Sequence, residues 1–261
     1  MDNIKISAVV ISYNEEKNIS SCLNSIVWSD EIILVDSYSN DNTVKIAKKF
    51  TNNIFFHKYN NSLPDQRNFA IKHARYDWII TLDGDEKLFA GAEKIIRNYL
   101  VNSKNFDGYW LPRRNYITNN FYLKYGLFYP DWQLRLLKNT DSLHYSGGPV
   151  HESLNIPLSR TKKIIQPEIY HNPSRTKYDK FSSFVRLFPY IRIEGEQFKK
   201  EKILLPVLFW RGVYAIAKEF YISFFRLSGY KDGYPGFRAA LIYAVYKGSI
   251  YIYAFYRKLT K

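Results

Sequence analysis

Short apolar runs and helix-like segments alternate along the first third of this 261-residue chain. The runs are rich in β-branched residues, which is typical of strands that are covered on both faces. The predicted strands are 6–11, 31–35, 53–57 and 78–82, and the predicted helices run from after Tyr13 to about 27, over 43–50 and over 65–74. Repeated strand–helix units are joined by right-handed crossovers, so the pattern predicts an α/β fold with a mostly parallel central sheet.

Polar side chains follow these predicted strands at the points where the strands end. Tyr13 follows the first strand, Asp36 the second, and Asp83 and Asp85 the fourth. In parallel sheets of this kind, ligands bind beyond the carboxyl ends of the strands. The sequence therefore predicts one cleft that holds all four side chains.

The segment Asp83-Gly84-Asp85 places two carboxylates one small residue apart at the end of a buried strand. Mg²⁺ and Mn²⁺ prefer carboxylate oxygens and leave room for phosphate oxygens, so the motif suits a cation that holds a diphosphate. The simpler interpretation is a pair of aspartates that cap a helix or form a turn. The next residue, Glu86, is predicted to be a negative charge at the start of the following helix, where the helix dipole favours it.

Two common phosphate-binding motifs do not occur in this sequence. No G-x-G-x-x-G follows the first predicted strand, and G-x-x-x-x-G-K-[ST] is found nowhere. This argues against a dinucleotide-dependent oxidoreductase and against a P-loop NTPase. Phosphate groups are instead expected to be neutralised by a metal ion and by basic side chains.

Four segments, in order, resemble a known family. They are residues 9–15 (VVISYNE), 33–36 with 39–43 (ILVD, SNDNT), 66–68 (QRN) and 82–86 (LDGDE). Their order and spacing resemble the family 2 glycosyltransferases of the GT-A fold. Two later segments, 130–136 (PDWQLRL) and 148–152 (GPVHE), are similar to the inner-core β-1,4-glucosyltransferases of bacterial lipopolysaccharide synthesis. The resemblance covers residues 4 to about 175.

The resemblance implies an inverting transferase that uses a UDP-sugar donor, and it assigns a nucleotide site to Ser12, Tyr13, Asp36, Arg67 and Asp83. Asp36 would accept a hydrogen bond from the N3–H of uracil, and Tyr13 would pack on the base. The planar guanidinium of Arg67 would grip the diphosphate. Simpler roles stay open, because Asp36 suits a helix cap, Tyr13 a rim aromatic, and Arg67 a surface pair with Asp65.

The resemblance also implies a Mg²⁺ or Mn²⁺ cofactor, with the metal ligands Asp83, Asp85 and His151. In the family the second aspartate commonly meets the metal directly, while the first contacts ribose or a metal-bound water. Neutral imidazole is a competent ligand for Mn²⁺, although a lone histidine is usually structural. A second histidine, His171, is interpreted as a structural residue where the chain leaves the domain.

Sugar transfer with inversion needs a carboxylate that removes the proton of the attacking hydroxyl. Asp131 is the first choice, because it lies about 45 residues after the metal motif, where the family usually carries an acidic base. The family often has glutamate before this aspartate, and here that position is Pro130. Glu152 is the second choice, in a glycine-rich turn that could bring it to the cleft.

The expected product is a sugar, a hexose such as glucose, joined to a hydroxyl of a glycan or lipid-linked glycan. Two other functions are weighed against this. A nucleotidyltransferase of similar fold would carry a glycine- and arginine-rich loop after the first strand, and residues 12–16 (SYNEE) lack it. A nucleic-acid-binding protein would gather its charge in a groove with exposed aromatics, whereas here the charge is interleaved with apolar stretches, so no nucleic-acid partner is expected.

The last third of the chain has a different composition. Residues 173–261 carry 17 Lys/Arg against 6 Asp/Glu and 22 of the 46 aromatic residues, whereas residues 1–172 carry 21 against 18. We therefore predict a catalytic domain over 1–172 and a helical extension over 173–261. Within 204–226, the charged residues fall in one arc of about 100° on a helix, which favours an anionic membrane surface over ordinary packing on the domain. They are Arg211, Lys218, Glu219 and Arg226.

Two features bear on the expected location. The single cysteine, Cys22, excludes an internal disulfide and suits a reducing compartment. No signal peptide is expected in the amino-terminal residues, because a strand-like run begins at once and acidic residues follow it. The expected location is cytoplasmic, peripheral on the inner face of the cell membrane.

Overall fold

The computed structural model describes residues 4–101, 105–118, 121–148, 152–172, 180–199, 201 and 203–260. The chain forms two compact units, of which the first comprises residues 1–115 with 131–174 and the second 116–130 with 175–261. Each unit has its own hydrophobic clusters. The predicted domain division after residue 172 stays a prediction.

The strands are β1 Ile6–Ser12, β2 Glu31–Asp36, β3 Ile54–Phe56, β4 Trp78–Asp83, β5 Glu86–Leu88, β6 Gly108–Thr118, β7 Phe121–Tyr122, β8 Asp131–Lys138, β9 Tyr145–Gly147, β10 Glu152–Leu154, β11 Thr161–Lys163 and β12 Ile169–His171. The α-helices are α1 Ile19–Asn24, α2 Thr43–Ala47, α3 Leu63–Ile71, α4 Ala92–Val101, α5 Phe188–Lys199, α6 Leu205–Phe220 and α7 Gly233–Leu259. Shorter turns of 3₁₀ and π-helix connect several of these elements.

The central sheet has the strand order β3-β2-β1-β4-β8-β6-β12-β5. The first four strands are parallel, β8 is antiparallel to both β4 and β6, and β5 is antiparallel to β12. The predicted α/β fold with a mostly parallel sheet is therefore confirmed.

The apolar runs of the sequence form strands that are buried on both faces. Successive side chains point to opposite faces of a strand, so Ala8 and Val10 of β1 pack in the cluster with α1, α2 and α4. Val9 lies on the other face, in the cluster with α3. Two covered faces explain why these strands read as continuous apolar segments and do not alternate with polar residues.

The first helix is shorter than predicted. It ends at Asn24, although the sequence pattern extends to about residue 27. The Ser25 hydroxyl donates to the Cys22 carbonyl at 2.7 Å, and the Ser29 hydroxyl donates to the Ile26 carbonyl at 2.7 Å. Such serine bonds to nearby carbonyls compete with regular helix, so the segment continues as turns.

The prediction that Glu86 starts a helix is wrong. Glu86 lies in β5, opposite His171 of β12, and its side chain is buried against Arg113 and Arg135. These arginines come from β6 and β8, far along the chain. A local sequence pattern does not show partners that lie so far away in the chain. The sequence therefore predicted only that the charge of Glu86 lies at a helix start, where the helix dipole favours it.

In the second unit, Tyr116 at the end of β6 pairs with Tyr122 of β7, and α7 packs against both α5 and α6. The α6–α7 contact depends on two glycines. A Cβ atom on Gly212 would lie 3.1 Å from the Gly248 carbonyl oxygen, and one on Gly248 would lie 2.7 Å from that of Gly212. Glycine therefore permits a backbone approach that any side chain would prevent. Among the described residues, none of the helices has both the length and the apolar content required to span a membrane.

Candidate functional site

The loops that follow β1 and β2 are bound to each other by hydrogen bonds between side chains and backbone. The backbone N–H of Asn14 donates to the Ser39 hydroxyl at 2.8 Å, and the backbone N–H of Glu15 donates to the Thr43 hydroxyl at 2.7 Å. In return, the backbone N–H of Asn40 donates to the Asn14 side-chain oxygen at 2.9 Å. These contacts explain why the two polar segments recognised in the sequence occur together, since they form one rim at the carboxyl edge of the sheet.

Asp36 is fully buried at the end of β2 and holds this rim together. One carboxylate oxygen accepts a hydrogen bond from the Ser39 amide at 2.6 Å. The other accepts from the hydroxyls of Ser12 and Ser39, at 2.8 and 2.7 Å. Asp36 thus serves the structure of the rim, and its predicted contact with a uracil N3–H stays a prediction.

A cleft of about 610 Å³ opens at the carboxyl edge of the sheet, and its size suits a ligand of the dimensions of a nucleotide. Its lining consists of Ile11, Ser12, Tyr13, Glu15, Ser37, Lys58, Tyr59, Leu63, Gln66, Asp83, Gly84, Asp85 and His171. The predicted site residues Ser12, Tyr13, Asp83 and Asp85 thus share one cleft. Asp36 and Arg67 are buried behind the lining.

Gly84 allows the aspartate motif to pack against the first loop. A Cβ atom at this position would lie 3.1 Å from Glu15 Cγ and 3.2 Å from Ser12 Cβ. The small residue between the two aspartates is therefore required by the close approach of the β1 loop.

An alternating chain of acids and arginines passes through Asp83, which is also part of the cleft lining. In order it comprises Glu152, Arg67, Asp83, Arg135, Glu86, Arg113 and Asp131, and each residue contacts the next at 2.7–2.9 Å between nitrogen and oxygen. We call these seven residues the ion-pair chain. Its members come from strands and a helix that are distant in sequence, so folding is required to assemble it.

The centre of the ion-pair chain is buried, and its charges are matched. Arg67 and Arg135 are only 4% and 3% exposed. Burial raises the pKa of Asp83, but the guanidinium groups of Arg135 and Arg67 outweigh it and hold that pKa well below its usual range. Burial likewise raises the pKa of Glu86, and Arg135 and Arg113 bring it below the ordinary value. Both carboxylates are therefore ionised at neutral pH.

Asp131, the first choice for the base, is surrounded by hydrogen-bond donors. One oxygen accepts from Arg113 at 2.7 and 2.9 Å and from the Asn115 amide at 2.9 Å, and the other accepts from Gln133 at 2.8 Å. Burial raises the pKa of Asp131, but Arg113 and these hydrogen bonds lower it below the ordinary value overall. A carboxylate held in this way is a weak proton acceptor.

Glu152, the second choice, lies at the other end of the ion-pair chain and is 29% exposed. Its oxygens accept from the Arg67 Nε at 2.9 and 3.1 Å. A single N–H leaves lone pairs of this carboxylate available for another donor. The two predicted bases therefore differ in the number of lone pairs that remain to accept a further hydrogen bond.

His171 lies in the cleft, although the sequence suggested a structural role. Its Nε2 is 3.3 Å from an Asp85 carboxylate oxygen, and its Nδ1 is 2.7 Å from the Asn115 side-chain oxygen. Strand pairing places it there, because β12 runs beside β6 with His171 opposite Asn115. Its position at the end of the run Ile169-Tyr170 is the same strand-end signal that identified the aspartates.

The residues present fit a divalent cation. The predicted ligand His151 lies outside the described residues, and within the part that is described no group of three His, Cys, Asp or Glu side chains is arranged to hold a metal. Asp85 and His171 nevertheless bring an oxygen and an imidazole nitrogen together, while both oxygens of Asp83 contact guanidinium groups. Two protein ligands are sufficient where phosphate oxygens and water complete the coordination of Mg²⁺ or Mn²⁺.

Sequence reasoning did not predict the buried contacts that Arg135, Arg113 and Asn115 make. Arg135 occurs within an otherwise apolar strand segment, Leu134 to Leu137, and is one of the few buried charges of the unit. A charge within an apolar strand is expected to have a buried partner, and this signal could have identified it. The sequence around Arg113 and Asn115 shows no comparable pattern that would indicate a buried partner.

The family model described as "Glycosyl transferase family 2" matches residues 7–150, which is more than half of the chain. Among curated proteins, the chain is 24% identical over 170 residues to the lipopolysaccharide core biosynthesis glycosyltransferase LpsC of Rhizobium meliloti strain 1021, covering 62% of this chain and 63% of that protein. It is 41% identical over 87 residues to the SPbeta prophage-derived glycosyltransferase SunS of Bacillus subtilis strain 168, covering 32% of this chain and 21% of that protein. The chain thus spans less than two thirds of the length of each of these relatives.

Among solved structures, the chain is similar to S. aureus TarS 1-349 in complex with UDP-GlcNAc. The identity is 17%, the TM-score is 0.50, and the match covers 93% of this chain and 82% of the other. A likeness at this level concerns the fold, and the predicted GT-A fold is confirmed.

Proposed function

The chain belongs to glycosyl transferase family 2 and is a glycosyltransferase, and from this premise we propose that it moves a sugar from a UDP-sugar, with inversion, to a hydroxyl of a glycan or lipid-linked glycan. The observation that carries the proposal is the cleft at the carboxyl edge of the sheet. There Tyr13, Asp85 and His171 meet beside the ion-pair chain. An exposed aromatic ring, a carboxylate beside an imidazole and nearby arginines are groups that can bind a nucleoside diphosphate with its cation.

The donor nucleotide would use the rim and one cation of the cleft. Tyr13 is 57% exposed and supplies a ring on which the base can pack. Ser12 and Asp36 hold the rim through their mutual hydrogen bond. Lys58 is an exposed cation in the lining and can neutralise phosphate oxygens, which adds to the role predicted for the buried Arg67.

We assign the metal to Asp85 and His171, with His151 as a further predicted ligand. Bound Mg²⁺ or Mn²⁺ would supply charge stabilisation of the leaving diphosphate. Asp83 contacts Arg67 and Arg135 and would fix the strand end from which Asp85 projects. This assignment gives the two aspartates of the motif different duties.

For the base we favour Glu152 over Asp131. Glu152 keeps lone pairs for the acceptor hydroxyl, whereas Asp131 already accepts four hydrogen bonds and has a lowered pKa. In this scheme Arg67 holds Glu152 in place, and Asp131 orients its neighbours. The proton of the acceptor hydroxyl passes to Glu152 as the new glycosidic bond forms and the bond to the diphosphate breaks.

The proposed acceptor class rests on the similarity of this chain to a relative and on two sequence segments. A relative of this chain is named for lipopolysaccharide core biosynthesis, and the segments at 130–136 and 148–152 are similar to that subgroup. We propose cell-surface glycan synthesis, with lipopolysaccharide as the first acceptor to examine and a hexose such as glucose as the sugar.

We also propose that the second unit binds an anionic membrane surface. The apolar residues Val207, Trp210, Tyr214 and Tyr221 of α6 and the turn after it are 40–66% exposed, whereas the small residues Gly212 and Ala215 are buried. The outward face of α6 thus carries large apolar and aromatic side chains. The flanking cations Arg211 and Lys218 suit anionic headgroups, and the whole surface suits the interface of an inner leaflet.

A donor screen tests the transferase proposal. We expect hydrolysis or transfer with one of UDP-glucose, UDP-galactose and their N-acetyl forms, and we expect it to depend on Mn²⁺ or Mg²⁺. Asp85→Ala should weaken metal-dependent UDP binding measured by calorimetry, while Asp141→Ala, at an exposed position outside the cleft lining, serves as control. Absence of binding to every UDP-sugar by the unaltered protein would refute the proposal.

A further inference from the structure

Asn115 of β6 lies between the side chains of His171 and Asp131. Its Nδ2 donates to an Asp131 carboxylate oxygen at 2.9 Å, and its Oδ1 is 2.7 Å from Nδ1 of His171. Three side chains on three neighbouring strands are therefore joined by two hydrogen bonds. Beyond the imidazole, Nε2 lies 3.3 Å from Asp85 in the cleft.

The chemistry of these groups determines which way the Asn115 amide faces. An ionised carboxylate only accepts hydrogen bonds, so the amide nitrogen must face Asp131. The lowered pKa of Asp131, to which Arg113 contributes against the effect of burial, keeps that carboxylate ionised at neutral pH. The reversed amide would place an oxygen against the Asp131 oxygen. The Asn115 oxygen is consequently directed at His171.

The direction of the amide in turn selects a tautomer of His171. The Asn115 oxygen can only accept, so Nδ1 of His171 must carry a hydrogen. A neutral imidazole has one N–H, which leaves Nε2 with a lone pair. That lone pair and an Asp85 oxygen then lie side by side at the cleft, and they repel each other unless a metal ion or a second proton lies between them.

We propose that Asn115 is a positioning residue that fixes His171 as its Nδ1–H tautomer and so dedicates Nε2 to the cation of the donor diphosphate. The inference rests on the proposed function for the identity of that cation. Metal-binding histidines generally donate their second ring nitrogen to an outer partner that fixes the tautomer. Here that partner is an amide, and Asp131 orients the amide in turn. The same role gives Asp131 a duty apart from proton removal.

Nuclear magnetic resonance tests the tautomer without metal or substrate. The full chain, labelled with ¹⁵N at histidine and kept metal-free at pH 8.5, should show the Nδ1–H pattern for His171, assigned by comparison with His171→Gln. Asn115→Leu should convert this signal to one with a substantial Nε2–H share. Leucine is close to asparagine in size, so Asn115→Leu removes the acceptor opposite Nδ1 with little change in packing volume, which separates positioning from mere loss of packing.

Metal binding gives a second readout. Asn115→Leu should weaken Mn²⁺ binding in the presence of UDP by about 10- to 100-fold, measured by electron paramagnetic resonance. Asn24→Leu, at an exposed position at the end of α1, is the matched control and should not change the affinity.

The role of Asn115 and the proposed function would be refuted by different experimental results. An Nε2–H tautomer in the unaltered protein, or an unchanged tautomer in Asn115→Leu, would overturn the role of Asn115. Failure of the unaltered protein to bind UDP with Mn²⁺ would instead overturn the proposed function, and with it the use of Nε2 that we infer.

Discussion

The two units of this protein differ in where they place charged and apolar side chains. The first unit buries arginines in its sheet and pairs each of them with carboxylates, as in the ion-pair chain. The last 89 residues, which form most of the second unit, carry 17 basic residues against 6 acidic ones. There the outward face of α6 presents Trp210 and Tyr214 beside exposed cations.

This difference indicates two kinds of recognition. Buried, matched charges have fixed positions, which suits a small ligand whose phosphates and sugar must be placed accurately. Exposed cations and aromatic rings spread over a helix face suit a broad, fluid surface, because no single contact has to be exact. Substitutions in the first unit should therefore act through single residues, and substitutions in the second through sums of small effects.

The largest single-residue effect is expected at the proposed base. Glu152→Gln keeps the shape of the side chain and removes its ability to accept a proton, so kcat should fall by about 10²- to 10⁴-fold. Asp131→Asn should lower kcat less, and Glu152→Gln should bind UDP as the unaltered protein does in calorimetry. Full activity in Glu152→Gln together with an inactive Asp131→Asn would assign the base to Asp131.

Removal of a buried arginine should be the next largest effect. Arg135→Leu leaves the buried Glu86 and the partly buried Asp83 without their shared partner, and the free energy of unfolding should fall by about 3–5 kcal/mol. Arg160→Leu breaks a pair at the surface of the same unit, with Asp107, and should cost much less, because solvent screens an exposed pair. Urea unfolding followed by circular dichroism measures both. Equal losses for the two variants would contradict the idea that burial makes the ion-pair chain special.

Acid should destabilise the first unit through the same carboxylates. The pKa values of Asp83, Glu86 and Asp131 are lowered in the folded chain, so the unfolded chain binds protons first as the pH falls. Their stabilisation is complete above the usual carboxyl range, near about pH 4–5, and is lost as the pH falls towards the lower pKa values of the folded chain. Stability measured from about pH 6 to pH 2 should decline steeply, and less steeply in Arg135→Leu. A flat profile would show that these carboxylates are not paired in solution.

The smallest effects per residue are expected on the second unit. Replacing Trp210 and Tyr214 together by serine should weaken binding to vesicles that contain phosphatidylglycerol by roughly 10-fold or more, because each ring buries apolar area at the interface. Arg211→Gln and Lys218→Gln should each cost about 1 kcal/mol and should matter less at high salt. Vesicle sedimentation measures both. Ser20→Ala, on the exposed side of α1, provides a control. Vesicle binding that survives all four substitutions would reject this face as the membrane contact.

The strands and the strand-end residues were predictable because their signals are local. Residues 6–11 and 78–82 read as strands because both faces are covered by apolar packing, and the structure confirms them. The position of Asp83 and Asp85 at one cleft followed from the rule that parallel strands end at one edge. The same reasoning applied to Ile169-Tyr170-His171 would have placed His171 there too.

The residues that escaped sequence reasoning have partners far away in the chain. Glu86 lies three residues from Asp83, yet its side chain meets arginines 27 and 49 residues further on. Asp131 was recognised as an important acid, but the donors that lower its pKa become visible only once β6 lies beside β8. Short motifs state which chemical groups are present and leave their partners undetermined.

The sequence by itself determined the parallel α/β sheet, the acidic edge and the contrast in charge between the first 172 residues and the rest. These follow from periodicity and composition, which act over a few residues or over whole segments. Only the tertiary structure decided that Asp83 faces arginines while Asp85 faces an imidazole, and that Asn115 stands behind that imidazole. Such pairings depend on strand order and register, because a shift of one residue would turn every side chain of a strand to the other face.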